Sequence, residues 1–336
     1  MRALTFQGNG RVSVEDVDEP VIEQPTDALV DITMAGICGS DLHVLHAGEQ
    51  FEFGAGARLG HEFIGTVAAV GDEVSGFSAG DRVMVAAGVS CGGCDFCRED
   101  SEYSCVQGSM FGWAPRLWQH GGAVQGGQAE MARVPLAAHT MKKMPEALAA
   151  PEHETKLLPL VDVMSTGWHG LESAGFQAGQ SAVVIGDGAV GLCAVHGAAA
   201  RGAEHVICLG HHPDRLAIAT SLGATHIIES RDPEEIAERV GEITAGQGVH
   251  CVVDSISGGD SMTTAYGCIR PGGTISCLGM DHFLGNVPEM NWYAQFVKNI
   301  TVTGGLIPMG NYIPQLVEMV AAGTLDPSPV LTTHLP

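Results

Sequence analysis

Basic residues are scarce in this 336-residue chain: 16 Lys and Arg stand against 39 Asp and Glu, a formal net charge of −23. The only lysines are Lys142, Lys143, Lys156 and Lys298. A surface of that sign repels nucleic acid and anionic membranes, so neither is expected as a partner. Aromatic residues are also few, at 5% against 45% hydrophobic residues overall. That balance suits an α/β protein rich in Ala, Val and Gly. No run resembles a transmembrane helix. The N-terminus, MRALTFQGNGRVSVED, lacks the basic-then-apolar pattern of a signal peptide. A cytoplasmic protein is therefore expected, long enough for two domains with their own cores.

Cysteine, by contrast, is plentiful. Ten cysteines in a reducing compartment argue for metal or core roles rather than disulfides. They fall into two sets. Cys193, Cys208, Cys251, Cys268 and Cys277 lie in stretches that read as helices and buried strands, and are expected as small apolar core residues. Cys38, Cys91, Cys94, Cys97 and Cys105 lie in loop-like sequence. The stretch CGGCDFCREDSEYSC gives C-x2-C-x2-C-x7-C over residues 91–105. Four thiolates so close together suit a closed tetrahedral structural zinc. An iron–sulfur cluster is the alternative.

The chain changes character along its length. Residues 1–150 carry short alternating runs, such as ALVDITMAG and RVMVAAG, broken by Gly, Asp and Pro turns. From about residue 181, strand-like and helix-like stretches alternate, which predicts a parallel, doubly wound sheet. Its first turn is GDGAVG (186–191), after the strand SAVVI and before a helix. This is a dinucleotide fingerprint: Gly186 for the tight turn, Gly188 for approach to the pyrophosphate, Gly191 for close packing. Ala189 and Val190 open the helix, whose free N–H groups favour a phosphate.

The NAD form of this fold places an acid at the end of the second strand to bind the ribose. Here that place is Gly210, followed by His211, His212 and Arg215. Without the acid, and with three side chains able to donate to a 2′-phosphate, NADP is favoured over NAD.

A second set of metal-type residues is dispersed. GICGSDLH supplies Cys38, Ser40, Asp41 and His43; GHEFIG supplies His61 and Glu62; LVDVMSTGWHG supplies Asp162. Singly, each has a plain reading as a buried Cys, a satisfied His or a helix-capping Asp. Together with the four-Cys lobe and GDGAVG, in this order over the whole chain, they resemble the zinc-dependent medium-chain alcohol dehydrogenases, and most nearly bacterial secondary-alcohol enzymes. The resemblance implies a Rossmann sheet joined to a β-rich GroES-like catalytic domain. It implies Cys38, His61 and Asp162 as ligands of a catalytic zinc, with Glu62 beside them, and Cys91, Cys94, Cys97 and Cys105 around a structural zinc. Such a zinc acts as a Lewis acid on an alcohol, whose hydride passes to the nicotinamide. Ser40 would take the proton, His43 would stand at the outer end of the relay, and Thr166 would pack against the nicotinamide.

The resemblance also points to FGW (111–113) and GGLIP (304–308) as substrate lining, through Trp113 and Leu306. It divides the chain into 1–165, 166–303 and a return segment, 304–336, and implies a homotetramer or a homodimer, with the tetramer favoured. His169, His196 and His250 are expected to be structural. The chain stops at Pro336, before the helix and strand with which the family closes its catalytic domain. Rival readings are a polyol, threonine or formaldehyde dehydrogenase, a zinc-free reductase, and a non-catalytic zinc- and dinucleotide-binding sensor or structural protein. The zinc-free reductase predicts the loss of Cys38 and His61, and the sensor predicts the loss of Ser40 or a catalytic ligand.

Overall fold

The computed structural model describes residues 1–113 and 123–335. The chain divides into two compact units, Met1–Ser165 with Ile307–Gly323, and Thr166–Leu306 with Thr324–Pro336. The boundary at 165/166 falls inside one helix, Val163–Ser173.

The first unit is built on a five-stranded antiparallel sheet. Its order is Met131–Val134, Ala28–Ala35, Phe63–Val70, Arg82–Val85, Met141–Lys143. Alternation along these strands buries Ala28, Val30, Phe63, Val67, Val83 and Val85 in one core with Phe111 and Met141. Phe63 and Phe111 meet edge to face at 5.0 Å. Beside it are a hairpin of Arg2–Phe6 and Val12–Asp16 and the two-residue pair Gly88–Val89 and Ser109–Met110.

The second unit is a six-stranded parallel sheet in the order His226–Ile228, His205–Leu209, Ser181–Ile185, Val249–Asp254, Ile269–Cys277, Thr301–Gly304. Numbered by sequence this is 3-2-1-4-5-6, the Rossmann order. The central strands read as nearly unbroken apolar runs because both faces are covered: SAVVI is buried at every position and HVICL at all but the first. The order reverses beside Ser181–Ile185, so the turn after that strand, GDGAVG, stands at the switch point where such sheets bind ligands.

Cys193, Cys208, Cys251 and Cys268 are buried as expected, while Cys277 is only partly so. His196 and His250 both have backbone partners: His196 bonds Leu222 O and the Asp326 amide, and His250 accepts from the Ser181 amide. The bond from the Asp326 amide to His196 Nε2 (2.9 Å) tethers the tail, and residues 324–336 group with the Rossmann unit. Of the expected return segment 304–336, only 307–323 group with the first unit. No helix among the described residues is long and apolar enough to cross a membrane.

Candidate active site

Three distant stretches converge in the first unit. Cys38 caps the helix Gly39–Ala47. Its amide donates to Asp41 Oδ2 (2.9 Å), and the Asp41 amide donates back to Cys38 O (3.1 Å), so a closed turn fixes the thiol. His61 and Glu62 immediately precede the strand Phe63–Val70. Asp162 stands between the 3-10 turn Leu158–Val161 and the helix Val163–Ser173. Cys38 Sγ and His61 Nε2 each lie 3.3 Å from Asp162 Oδ2. One donor atom from each of Cys38, His61, Glu62 and Asp162 lies within 4.8 Å of all the others. Zinc with bonds of about 2.0–2.3 Å at tetrahedral angles separates N, O and S ligands by about 3.3–3.5 Å. The spacing therefore fits such an ion.

The electrostatics fit it as well. His61, Glu62, Asp41 and Asp162 are all buried. Burial lifts the Cys38 thiol well above its usual range, and the charges of Asp162, Glu62 and Asp41 push the same way. Burial, then the charge of Asp162, raises Glu62 to about 8. For His61 burial works downward, but the hydrogen bond to Asp162 and the charge of Asp41 outweigh it and bring the ring to about 9. For Asp162 burial works upward, and the His61 contact outweighs it, so that its pKa falls. One thiol, three carboxyls and one imidazole thus share a buried site with little positive charge of its own. Glu62 Oε1 is buried with no hydrogen-bond partner among the described residues, which is costly unless something else binds it. A divalent cation answers both.

Ser40 Oγ lies 3.2 Å from His61 Nε2, the nitrogen that faces the cluster. His43 stands one turn further along the helix. Its Nδ1 bonds Gly39 O at 3.1 Å, not Ser40. Two neighbours have roles that the sequence reading did not assign. Asp41 Oδ1 approaches His61 Nδ1 at 3.6 Å, and Gln128 Nε2 donates to Asp41 Oδ2 (2.8 Å) and to Gly36 O (2.9 Å). Asp41 has the position of an outer-shell carboxylate that orients a ligand histidine. The cue for it was present, three residues after Cys38 in GICGSDLH.

The four-Cys lobe draws Cys91, Cys94, Cys97 and Cys105 together within the same 4.8 Å limit. Cys94 and Cys97 sulfurs are 3.5 Å apart, and those of Cys91 and Cys97 4.0 Å. Tetrahedral zinc–thiolate geometry calls for about 3.8 Å. Backbone amides point at the sulfurs: Cys91 and Gln107 donate to Cys105, and Gly93 donates to Cys91. Amide donors of this kind favour thiolates, and amide hydrogen bonds hold Cys94 down at about 6.

In the second unit, Gly186 has φ +107°, a conformation that glycine adopts without strain. A Cβ on Gly191 would overlap Gly186 O, whereas one on Gly188 would meet nothing within 4 Å. The turn is closed on itself and open where Gly188 leads into the helix Ala189–Ala200. Ala189 and Val190 form that helix's first turn, whose amides lack intrahelical acceptors. This is a cradle of the shape a pyrophosphate needs.

Gly210 departs from expectation. It follows the strand His205–Leu209, and its place is not free of acid. A Cβ there would lie 2.6 Å from both Cβ and Oδ2 of Asp187, so the Asp187 carboxylate already fills the space. Asp187 Oδ2 accepts from the amides of His211 (2.7 Å) and His212 (2.8 Å), His212 Nδ1 lies 3.0 Å from both carboxylate oxygens, and Arg215 Nη1 lies 3.6 Å from Oδ1. The signal was an acid inside the glycine motif itself. Thr166 begins the second unit as a half-buried residue of the helix Val163–Ser173. Trp113 is buried against Phe51 and Phe53, at 6.3 and 6.4 Å between rings, while Leu306 is 47% exposed.

Two family models match the chain: an alcohol dehydrogenase GroES-like domain over residues 24–146 and a zinc-binding dehydrogenase over 189–322. The chain is 34% identical to a "probable zinc-binding alcohol dehydrogenase" of Mycobacterium tuberculosis, over its whole length and 82% of that protein. It is 31% identical to the NADP-dependent isopropanol dehydrogenase of Thermoanaerobacter brockii, with 99% of this chain and 91% of that one aligned. Among solved structures, alcohol dehydrogenase TADH from Thermus sp. ATN1 superposes with a TM-score of 0.88 at 35% identity, covering 98% of this chain and 91% of that one.

Proposed function

The chain belongs to the zinc-dependent medium-chain alcohol dehydrogenases, and on that premise we propose that it moves a hydride between a small secondary alcohol and a nicotinamide dinucleotide. One observation carries the reading: the convergence of Cys38, His61 and Asp162 at zinc-ligand spacing beside a Glu62 oxygen that has no hydrogen-bond partner among the described residues. The secondary-alcohol preference draws support from Asp162, a carboxylate as third ligand, and from similarity to an isopropanol dehydrogenase.

Each residue then has a task. Cys38, His61 and Asp162 hold the ion with Glu62 as a further carboxylate within reach. Zinc bound there supplies a Lewis acid that makes an alcohol more acidic. Ser40 Oγ takes the alcohol proton, and His43 passes it on through Nε2, since its Nδ1 is bonded to Gly39 O. Asp41 holds the His61 ring. The turn at Gly186, Gly188 and Gly191 and the first turn of the helix Ala189–Ala200 receive the pyrophosphate, while Thr166 packs against the nicotinamide. Trp113 lines the substrate site. Asp187 bears directly on whether the dinucleotide is NAD or NADP.

Cys91, Cys94, Cys97 and Cys105 would hold a second, structural zinc, making two per chain. Thiolates kept ready for metal need a reducing compartment, and the cytoplasm is the proposed one. We also propose a homo-oligomer, with the tetramer favoured. Trp292, Tyr293 and Phe296 on the helix Trp292–Lys298 are 73%, 79% and 85% exposed, an apolar face that a second copy would cover.

The test is a panel of primary and secondary alcohols run with each dinucleotide, beside metal analysis and light scattering. Secondary alcohols should be turned over best, by a particle of several chains holding two zincs each. Full activity in protein stripped of metal, or no turnover of any alcohol, would overturn the reading.

A further inference from the structure

We propose that Asp187 decides the cofactor. Its carboxylate is an internal anion that occupies the place a 2′-phosphate would need, so the chain binds NAD more tightly than NADP. This deepens the reading above and rests on it, since it takes a dinucleotide to be bound at the GDGAVG turn.

The loop after the strand His205–Leu209 is built to hold an anion. The amides of His211 and His212 stand at the start of the nine-residue helix Pro213–Ser221, where the helix dipole adds positive charge. The His212 ring and the Arg215 guanidinium join them. All four groups already face one acceptor. Asp187 takes both amides at 2.7 and 2.8 Å, the ring at 3.0 Å and, more distantly, the guanidinium at 3.6 Å. Two of the three side chains that the sequence offers to a phosphate, His212 and Arg215, are therefore engaged before any ligand arrives, together with both amides. The layering is clear. Asp187 is 6% exposed, while the side chains of His212 and Arg215 above it are 60% and 49% exposed.

Position sets which cofactor this serves. The ribose-binding acid of Rossmann folds stands at the end of the second strand. Here that position is Gly210, and an added Cβ would sit 2.6 Å from Asp187 Oδ2. The carboxylate thus reaches the same volume from the neighbouring turn, and glycine at 210 is what makes room for it. A 2′-phosphate brought to this loop meets a like charge and partners already taken. A ribose hydroxyl meets an acceptor: Oδ1 carries fewer donors than Oδ2 and has lone-pair capacity left.

The experiment is calorimetric titration of the zinc-loaded protein with NAD, NADP, 5′-AMP and 2′-AMP. Parent protein should bind NAD about tenfold or more tightly than NADP. Asp187→Asn should close most of that gap and gain affinity for 2′-AMP, with 5′-AMP little changed. Parent protein that binds NADP as tightly as NAD overturns the proposal, and so does a folded Asp187→Asn protein with the parent's ratio. Should Asp187→Asn fail to fold, Arg215→Ala serves instead. It strips a neutralising partner from Asp187, so NADP should weaken further relative to NAD, and an unchanged ratio overturns the proposal. Binding of neither dinucleotide by the parent overturns the proposed function as well.

Discussion

Two of the clusters that pair a buried carboxylate with a histidine, at Asp187 and at Asp162, end differently. At Asp187 each donor has found its acceptor. Two amides, one imidazole and one guanidinium surround a single carboxylate, and the ring and the guanidinium lie at the surface. At Asp162 the groups converge and satisfy one another only in part. Glu62 Oε1 and His61 Nδ1 are buried with no hydrogen-bond partner among the described residues, and the Cys38 thiol is pressed far above its usual pKa by its acidic neighbours. A carboxylate beside a histidine therefore says little alone. What separates a self-contained anion clamp from a metal centre is whether the donors and charges close among themselves.

Exchanging one ligand in each cysteine-bearing cluster separates catalysis from stability most sharply. Cys38→Ser should lower kcat/KM by about a thousandfold or more, because the lost Lewis acid contributes several kcal/mol to the barrier. It should leave the unfolding midpoint near the parent's. Cys97→Ser, in the four-sulfur lobe, should do the reverse. It should release one metal per chain and lower the midpoint by roughly 5–10 °C, while kcat/KM at 25 °C stays within about threefold. Metal analysis, calorimetric scans and steady-state rates on both variants decide it. A Cys97→Ser protein with unchanged metal content and midpoint would break the contrast.

The contrast also explains what could be read before the fold was known. The four-Cys lobe is legible because its ligands lie between Cys91 and Cys105 and need only local turns to meet. The alternation of strand and helix gave the parallel sheet for a similar reason: strands buried on both faces are written as continuous apolar runs. The cluster of Cys38, His61 and Asp162 needs three separate elements to come together, so residue spacing could not reveal it, and a family resemblance was needed. The roles of Asp41, which the sequence reading named without a task, and of Asp187 were not foreseen because each depends on partners distant in sequence: His61 and Gln128 in one case, His211 and His212 in the other. Reading Gly210 as an absence was reasonable along one strand. It changed when the neighbouring turn supplied the acid from the side. The helix Trp292–Lys298 was also not foreseen, since a helix with no buried residue shows no apolar stripe against the rest.

Asp41 tests how far the open cluster depends on its surroundings. Asp41→Asn keeps the shape, and its side-chain oxygen can still accept from the Cys38 amide, but the charge beside His61 Nδ1 is lost. Outer-shell changes of this kind usually cost about 10–100-fold in metal affinity. Zinc release to a chelator should therefore quicken by about that factor from the catalytic site alone, with release from the four-Cys lobe unchanged. Equal release from both sites in parent and variant would remove Asp41 from the ligand-orienting role.

The smallest effect belongs to the closed cluster, and its sign follows from the acid. Burial pushes Asp187 upward, but the amides of His212 and His211 and the His212 ring outweigh it and hold its pKa below the ordinary carboxylate value of 3.8. A carboxylate depressed on folding contributes stability that is fully present above its unfolded value. That contribution disappears as pH falls through the folded one. Asp187→Asn should therefore destabilise the protein by about 1 kcal/mol at neutral pH, the scale of a net buried hydrogen bond. The deficit should hold steady from pH 7 to about 5 and then shrink as acid protonates Asp187 in the parent. Urea midpoints for both proteins across that range measure it. A deficit that grows on acidification would mean that His212 and Arg215 do not hold the charged form, and that the donors around Asp187 are not closed on it as the geometry indicates.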